Sequence, residues 1–396
     1  MVASDAISFA DAAPSTSAAA ATAPAPTPAA QADAAPAAGS NGAVTEDEAA
    51  LYDRQIRLWG LEAQNRLRTA HVLILGWNGI ATEITKNTVL SGIGSITLLD
   101  PTRVEAAVDL LTGFFFRDDD VGQARCSQAP LDRVRALNPL VKVEGIADQA
   151  TYDTIVEAGD EAEAWLKERG VDVVVIGTPL AKPGKLLEQL VGINALTRKL
   201  GIKSFVSATY GLGGFYFVDQ VEHEYVVERN MDGDKKRIKQ RQTFVSLADS
   251  LAHTWAGLSE RQKRRTRIPL EWFAWLALTH LRTSLASDAA STTISPAALR
   301  GRTIAVIHEK GLDPDTILGS TDAEAVFTGM AAMRIDSDGI TLAPVAAVLG
   351  GVLSQDILNA IGGREEPVVN WMMLSFNATG AATVHKIGSL SGPVVE

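Results

Sequence analysis

From residue 71 the chain alternates short apolar runs with longer amphipathic stretches. HVLILG (71–76), GSITLLD (94–100), VKVEGI (141–146) and VDVVVIGT (171–178) read as strands. The last is a continuous β-branched run of the kind buried on both faces of a parallel sheet. The stretch from the turn at Gly76 to about Leu90 reads as a helix. So does CSQAPLDRVRALNP, which stops at Asn138 because the residue before Pro139 disfavours helix. KLLEQLVGINALTRKLG predicts a helix ended by Gly201, and KSFVSATYGLGGFYFVD (203–219) predicts two strands around a Gly-rich turn. Strands alternating with helices imply right-handed βαβ units and an α/β, Rossmann-like, doubly wound sheet.

This rhythm breaks between about 228 and 335. Two basic clusters, KKRIKQR (235–241) and RQKRR (261–265), read as solvated loop and helix surface, with a nuclear-import signal as the sharper alternative. The Trp-rich PLEWFAWLALTHLRTSLA has helical spacing and reads as core or subunit contact. An apolar helix over 343–363 and two strand-like runs, NWMMLSFN and ATVHKIG, end the chain. Ala347, Gly350 and Gly351 would let that helix lie close to another backbone. At the other end, residues 1–44 are dominated by Ala, Pro, Ser and Thr and are expected to be disordered. A helix is expected to start at Thr45, with Glu46, Asp47 and Glu48 at its positive end. The expected division is thus a tail over 1–44, a first part over 45–227, a partly helical insertion over 228–335 and a C-terminal part over 336–396.

Composition narrows the function classes. A net charge of −11 argues against a uniformly basic nucleic-acid binder, and six of the acids lie in the first 50 residues, which hold no Lys or Arg. One cysteine, Cys126, excludes an internal disulfide framework or a Cys-rich zinc site and fits a reducing compartment. No run of 18 uncharged apolar residues occurs, so no membrane partner is expected. His71, His223 and His385 show no metal-like spacing, and no metal site is expected in this chain.

The turn after the first strand carries the chemical question. A dinucleotide fingerprint places glycines at three positions, for the tight turn, for approach to phosphate and for helix packing. Here those positions are Gly76, Asn78 and Ala81, with Gly79 between the last two. Gly76 keeps the turn, and Ala81 is small enough for packing. The Asn78 side chain stands where phosphate would lie. Asp100 ends the second strand, where a ribose-binding acid is expected. The loop reads as a nucleotide site that kept its turn and lost its ligand.

A longer segment is more specific. YDRQIRLWGLEAQNRLRTAHVLILGWNGIATEITKNTVLSGIGSITLLD (52–100) closely resembles the start of the adenylation domains of the ubiquitin-activating-enzyme-like, ThiF-type family. RALNPLVKVE (135–144), the hairpin ATYGLGGFYFVDQVEHE and the terminal LAPVAAVLGGVLSQDILNAI match it further. The likeness is strongest to the members that activate SUMO, with those serving Nedd-type modifiers second. It implies the ThiF-type fold, an obligate heterodimer with a homologous catalytic subunit that carries the thioester cysteine, and a nuclear location, with the cytoplasm as a second compartment. SUMO would be met through that complex.

Departures from the family pattern imply that this chain is not the catalytic half. Asp100-Pro101-Thr102 keeps only the first acid of Asp-x-Asp. AAVDLLTGFFFRDDD replaces the Ser-Asn-Leu-x-Arg-Gln segment. VGQARCS offers Gln123 and Arg125 where a phosphate-binding lysine belongs, and Thr178-Pro179 replaces an Asp after the fourth strand. Each loss removes a charge that adenylyl transfer depends on. ATP and Mg are therefore expected on the partner and no cofactor in this chain. What the resemblance leaves is Arg54, which matches an arginine that reaches across the dimer to the partner's ATP, a finger supplied in trans. Gln55 and Arg57 would assist, and Leu58 and Trp59 would pack. Cys126 does not stand where the family keeps its nucleophile and reads as packing. A self-sufficient homodimeric adenylating enzyme and a nicotinamide dehydrogenase remain as rival classes.

Overall fold

A computed structural model of the chain describes residues 51–177, 185–231, 234–263, 268–284, 294–319, 322–332, 342–376, 382–388 and 394–395. The expected tail, the Thr45 cap and the Thr178-Pro179 position lie outside these residues. Two short helices lead, α1 (Asp53–Trp59) and α2 (Leu61–Thr69), split at Gly60, whose φ of +88° interrupts the helical path. Then come β1 (His71–Leu75), α3 (Gly79–Leu90), β2 (Ser95–Leu99), the single turn α4 (Asp109–Thr112), α5 (Gln128–Arg135) and β3 (Lys142–Ile146). Two helices not expected from the sequence pattern follow, α6 (Gln149–Glu157) and α7 (Asp160–Glu168). The Asp148 side chain caps α6 by accepting the Thr151 N–H, and Asp160, Glu161 and Glu163 sit in the first turn of α7. The α/β half closes with β4 (Val173–Gly177), α8 (Leu186–Leu200), β5 (Lys203–Tyr210) and β6 (Gly213–Asp219).

The region expected as an insertion begins with a hairpin, β7 (Glu222–Met231) and β8 (Asp234–Thr243), which runs across the 227/228 boundary. The first basic cluster therefore lies on a strand and not on a loop or helix. Its charges meet acids across the ladder, Lys239 with Glu224 at 2.8 Å and Arg241 with Glu222 at 3.0 Å. Helices α9 (Leu247–Ala252), α10 (Glu260–Lys263), α11 (Leu270–Ser284), α12 (Pro296–Glu309), α13 (Pro314–Leu318) and α14 (Ala323–Ala331) follow. The chain ends with α15 (Ala343–Gly362), β9 (Trp371–Phe376), β10 (Ala382–Ile387) and β11 (Val394–Val395), the last paired to β8.

One mixed sheet runs in the order β10-β9-β6-β5-β4-β1-β2-β3, parallel from β5 to β3. Alternate residues of each strand feed two cores. Leu73, Leu75, Val174 and Ile176 face α6, α7, α8 and the helices α11 to α14, among which Trp272, Phe273 and Trp275 are buried. The Trp-rich segment is thus core. Val72, Ile74, Val173 and Val175 face α3, α5 and α15 on the other side. Helix α15 is long and apolar enough to cross a membrane by length and composition, yet its Leu349, Leu353 and Ile357 are buried against this sheet. Of Ala347, Gly350 and Gly351, only Gly350 makes the expected close approach. A Cβ there would lie 2.7 Å from Glu83 Cβ on α3, while Ala347 is exposed and Gly351 has open space.

Candidate functional site

Strand order reverses between β1 and β4, the switch point at which open α/β sheets bind ligands beyond their C-terminal strand ends. The turn after β1 lies there, and its own chain closes it. Gly76 turns with φ +84°, and a Cβ on it would sit 2.7 Å from the Gly177 carbonyl at the end of β4. Asn78 is the N-cap of α3 and is 4% exposed. Its Oδ1 accepts the Ala81 N–H at 3.1 Å, a donor that a phosphate at this helix end would need. Gly79 is pressed against the Thr112 side chain, so α4 lies over the loop.

Trp77 fills the remaining volume. It is fully buried, its indole N–H donates to Thr85 Oγ1 at 3.1 Å, and its ring stacks on Phe115 with centroids 5.7 Å apart and meets the edge of Phe116 at 5.1 Å. The aromatic residues Phe115 and Phe116, with Trp77, thus plug this end of the sheet.

Asp100 is buried and used by the protein itself. It accepts the Trp77 N–H at 2.6 Å, the Thr102 N–H at 2.8 Å and the Thr102 hydroxyl at 2.6 Å. Arg125, at the expected lysine position, pairs with Asp100 at 3.2 Å and with Asp109 at 2.8 Å. Burial pushes the Asp109 carboxyl above its usual range, and the Arg125 charge opposes that rise. The guanidinium here compensates two carboxylates and leaves no charge for a triphosphate. Neighbouring Cys126 is buried, its thiol facing the Leu98 carbonyl at 3.3 Å, and burial pushes its pKa up, away from thiolate chemistry. These residues do not fit a nucleotide. Gly76, Asn78, Gly79, Ala81, Asp100 and Arg125 lie together, in a loop sealed by Trp77, Thr112 and Phe115. The only sequence signal of the seal was the apolar run at 114–116.

Arg54 lies elsewhere. Tyr52, just before α1, is anchored by Asn138, whose Nδ2 donates to its hydroxyl at 2.7 Å and to the Val89 carbonyl at 2.9 Å. Its ring occupies the space beside Gly92, where φ is +78° and a Cβ could not fit. Gln55 Nε2 reaches the Leu90 carbonyl at 3.5 Å. These contacts hold α1 at the C-terminal end of α3, whereas the sealed loop is at its N-terminal end. A helix of 12 residues separates the two by about 18 Å, well beyond the span of one arginine side chain. Arg54 is exposed and, among the described residues, makes no hydrogen bond or ion pair. Arg57 is instead engaged with Asp53 at 2.9 Å. Trp59 packs as expected, its indole donating to Gln64 at 3.0 Å, but Leu58 does not, being 74% exposed because it projects from the same open face. Leu51 and Leu61 are exposed beside it. Among the described residues no group of His, Cys, Asp or Glu has metal-binding geometry.

Residues 52–389 match the ThiF family, which decides the relationship. The chain belongs to the ThiF family. Within it, the chain is 32% identical to SUMO-activating enzyme subunit 1 of Xenopus laevis over 369 residues, covering 87% of this chain and 97% of that protein. It is 32% identical to SUMO-activating enzyme subunit 1 of Homo sapiens over 84% of this chain and 93% of that protein. The DNA damage tolerance protein RHC31 of Saccharomyces cerevisiae is 30% identical over 83% of this chain and 94% of its own length. For this ThiF-family chain the sealed loop and the exposed α1 are the two features that any function must accommodate.

Proposed function

We propose that this chain is the non-catalytic subunit of a heterodimeric SUMO-activating enzyme. It pairs with a homologous catalytic subunit, which binds ATP and Mg, adenylates the SUMO C-terminus and carries the thioester cysteine. This chain supplies Arg54 to the partner's site. The observation that carries the reading is the separation along α3: the loop that would hold a nucleotide is plugged at one end, and an unengaged arginine stands in the open at the other. An always-charged, planar guanidinium outside its own site is suited to stabilise a triphosphate held by another chain. The near full-length similarity to proteins named SUMO-activating enzyme subunit 1 gives the reading its modifier.

Reconstitution tests it. The purified chain alone should neither bind ATP·Mg nor catalyse ATP–pyrophosphate exchange. Adding the catalytic subunit should restore exchange that depends on SUMO. Exchange by the chain alone would revive the homodimeric reading, and exchange supported by a Nedd-type modifier in place of SUMO would overturn the assignment of modifier.

A further inference from the structure

The last carbonyls of a helix have no partners within it and need donors from outside. At the C-terminal end of α3 three consecutive carbonyls find them on three different segments. The Val89 carbonyl accepts from Asn138 at 2.9 Å, the Leu90 carbonyl from Gln55 of α1 at 3.5 Å, and the carbonyl of Ser91, the C-cap, from Gln64 of α2 at 3.4 Å. Asn138 also accepts the Leu140 N–H at 3.2 Å. One helix end thus gathers α1, α2 and the turn that follows α5.

Each gathered segment brings leucine to the surface. Leu51, Leu58, Leu61, Leu90 and Leu140 are 46–74% exposed, and they are most of the exposed leucines among the described residues. Scattered singly such residues are ordinary; gathered around one point they mark a contact surface. Arg54 stands among them, one turn from Leu58 on the same face of α1. The other cations of α1 and α2 are taken: Arg57 pairs with Asp53 at 2.9 Å, Arg66 with Glu62 at 2.6 Å, and Arg68 is engaged as well. The patch therefore shows one unpaired cation in an apolar surround. A face made for an anionic surface would carry more cations. The complement of this one is a single anionic group recessed within an apolar rim.

We propose that Leu51, Leu58, Leu61, Leu90 and Leu140 form a seal that closes on the rim of the catalytic subunit's ATP site and excludes water and salt from the contact between Arg54 and the triphosphate. This rests on the reading of Arg54 as a finger supplied in trans. The leucines are positioning residues, which act through Arg54 and touch no reacting atom. Their effect is electrostatic: at a fixed distance the attraction of two charges grows about fourfold as the effective dielectric constant falls from about 80 to about 20, and a sheltered pair escapes screening by salt.

The test is ATP–pyrophosphate exchange by the reconstituted heterodimer, with the catalytic subunit in excess and assembly followed by sedimentation. The pair Leu90→Ser and Leu140→Ser lies outside α1 and should leave the melting of the isolated chain unchanged. It should lower exchange about tenfold, the loss growing as ionic strength rises from about 0.1 M to about 1 M and the Debye length falls from about 10 Å to about 3 Å. Leu90→Met with Leu140→Met should keep the wild-type rate and salt dependence. In an Arg54→Ala background the serine pair should cost nothing further, since a seal acts only through the charge it shelters. Should the serine pair fail to assemble, Leu140→Ser alone goes through the same cycle. An undiminished further loss in the Arg54→Ala background would show that the leucines serve assembly alone and would overturn the seal. Wild-type salt dependence of the serine pair, beside a slowed Arg54→Ala, would overturn it while leaving the finger. Wild-type exchange by Arg54→Ala would remove the finger and the seal with it.

Discussion

The two ends of α3 are built to opposite ends. At its N-terminus three polar side chains are consumed internally: Asn78 caps the helix, Asp100 gathers four hydrogen bonds, and Arg125 bridges two carboxylates. At its C-terminus α1 is pinned by Tyr52 and Gln55, yet presents Arg54, Leu51 and Leu58 to solvent. A site loses a ligand most stably when its charges are re-paired and its volume refilled, because unpaired buried charge and empty space both cost stability. A surface meant for a partner keeps what the interior would have neutralised. On the proposed function, the difference would put this chain's contribution to the chemistry at α1 and not at its own sealed loop.

Mutations should sort along that contrast, the largest effects falling at the sealed loop. Trp77→Ala removes the plug between Thr85, Phe115 and Phe116 and should cost about 3–5 kcal/mol in chemical denaturation, with no gain of ATP binding by calorimetry. Asp100→Ala strands Arg125 beside a single carboxylate and leaves two N–H groups unpaired; a loss of about 3 kcal/mol is expected from the same measurement. Asn78→Ala should cost only about 1 kcal/mol, the worth of an N-cap, and would sharpen the comparison by freeing the helix end. If the freed end then bound ATP, Asn78 and not Trp77 would be what closed the loop. Leu58→Ser should leave the melting of the isolated chain unchanged, since Leu58 is exposed, and weaken heterodimer assembly in analytical ultracentrifugation. Destabilisation of the isolated chain by Leu58→Ser would instead place Leu58 in the fold.

Much of this was legible in the sequence. Period-two and β-branched runs located the strands of the large sheet, because strands buried on both faces have little freedom in composition. The degenerate fingerprint predicted that Asn78 would stand in the phosphate's place; in the structure Asn78 caps α3. What replaced the nucleotide was not legible. Trp77 and Phe115 are distant enough in sequence that only folding brings their rings together, and apolar residues in a loop segment read equally well as core. The basic cluster at 235–241 misled because from Arg237 on its Lys and Arg alternate with Ile and Gln at strand period, and the paired acids lie on another strand. Leu58 was expected to pack since helical periodicity alone cannot separate a core face from one left open.

The most direct test is ATP–pyrophosphate exchange by the reconstituted heterodimer carrying Arg54→Ala, with assembly checked in parallel. A finger supplied in trans predicts a loss on the order of 10³-fold, with little recovery in Arg54→Lys and with the complex intact. Exchange at the wild-type rate from an intact complex would contradict it and leave this chain a scaffold.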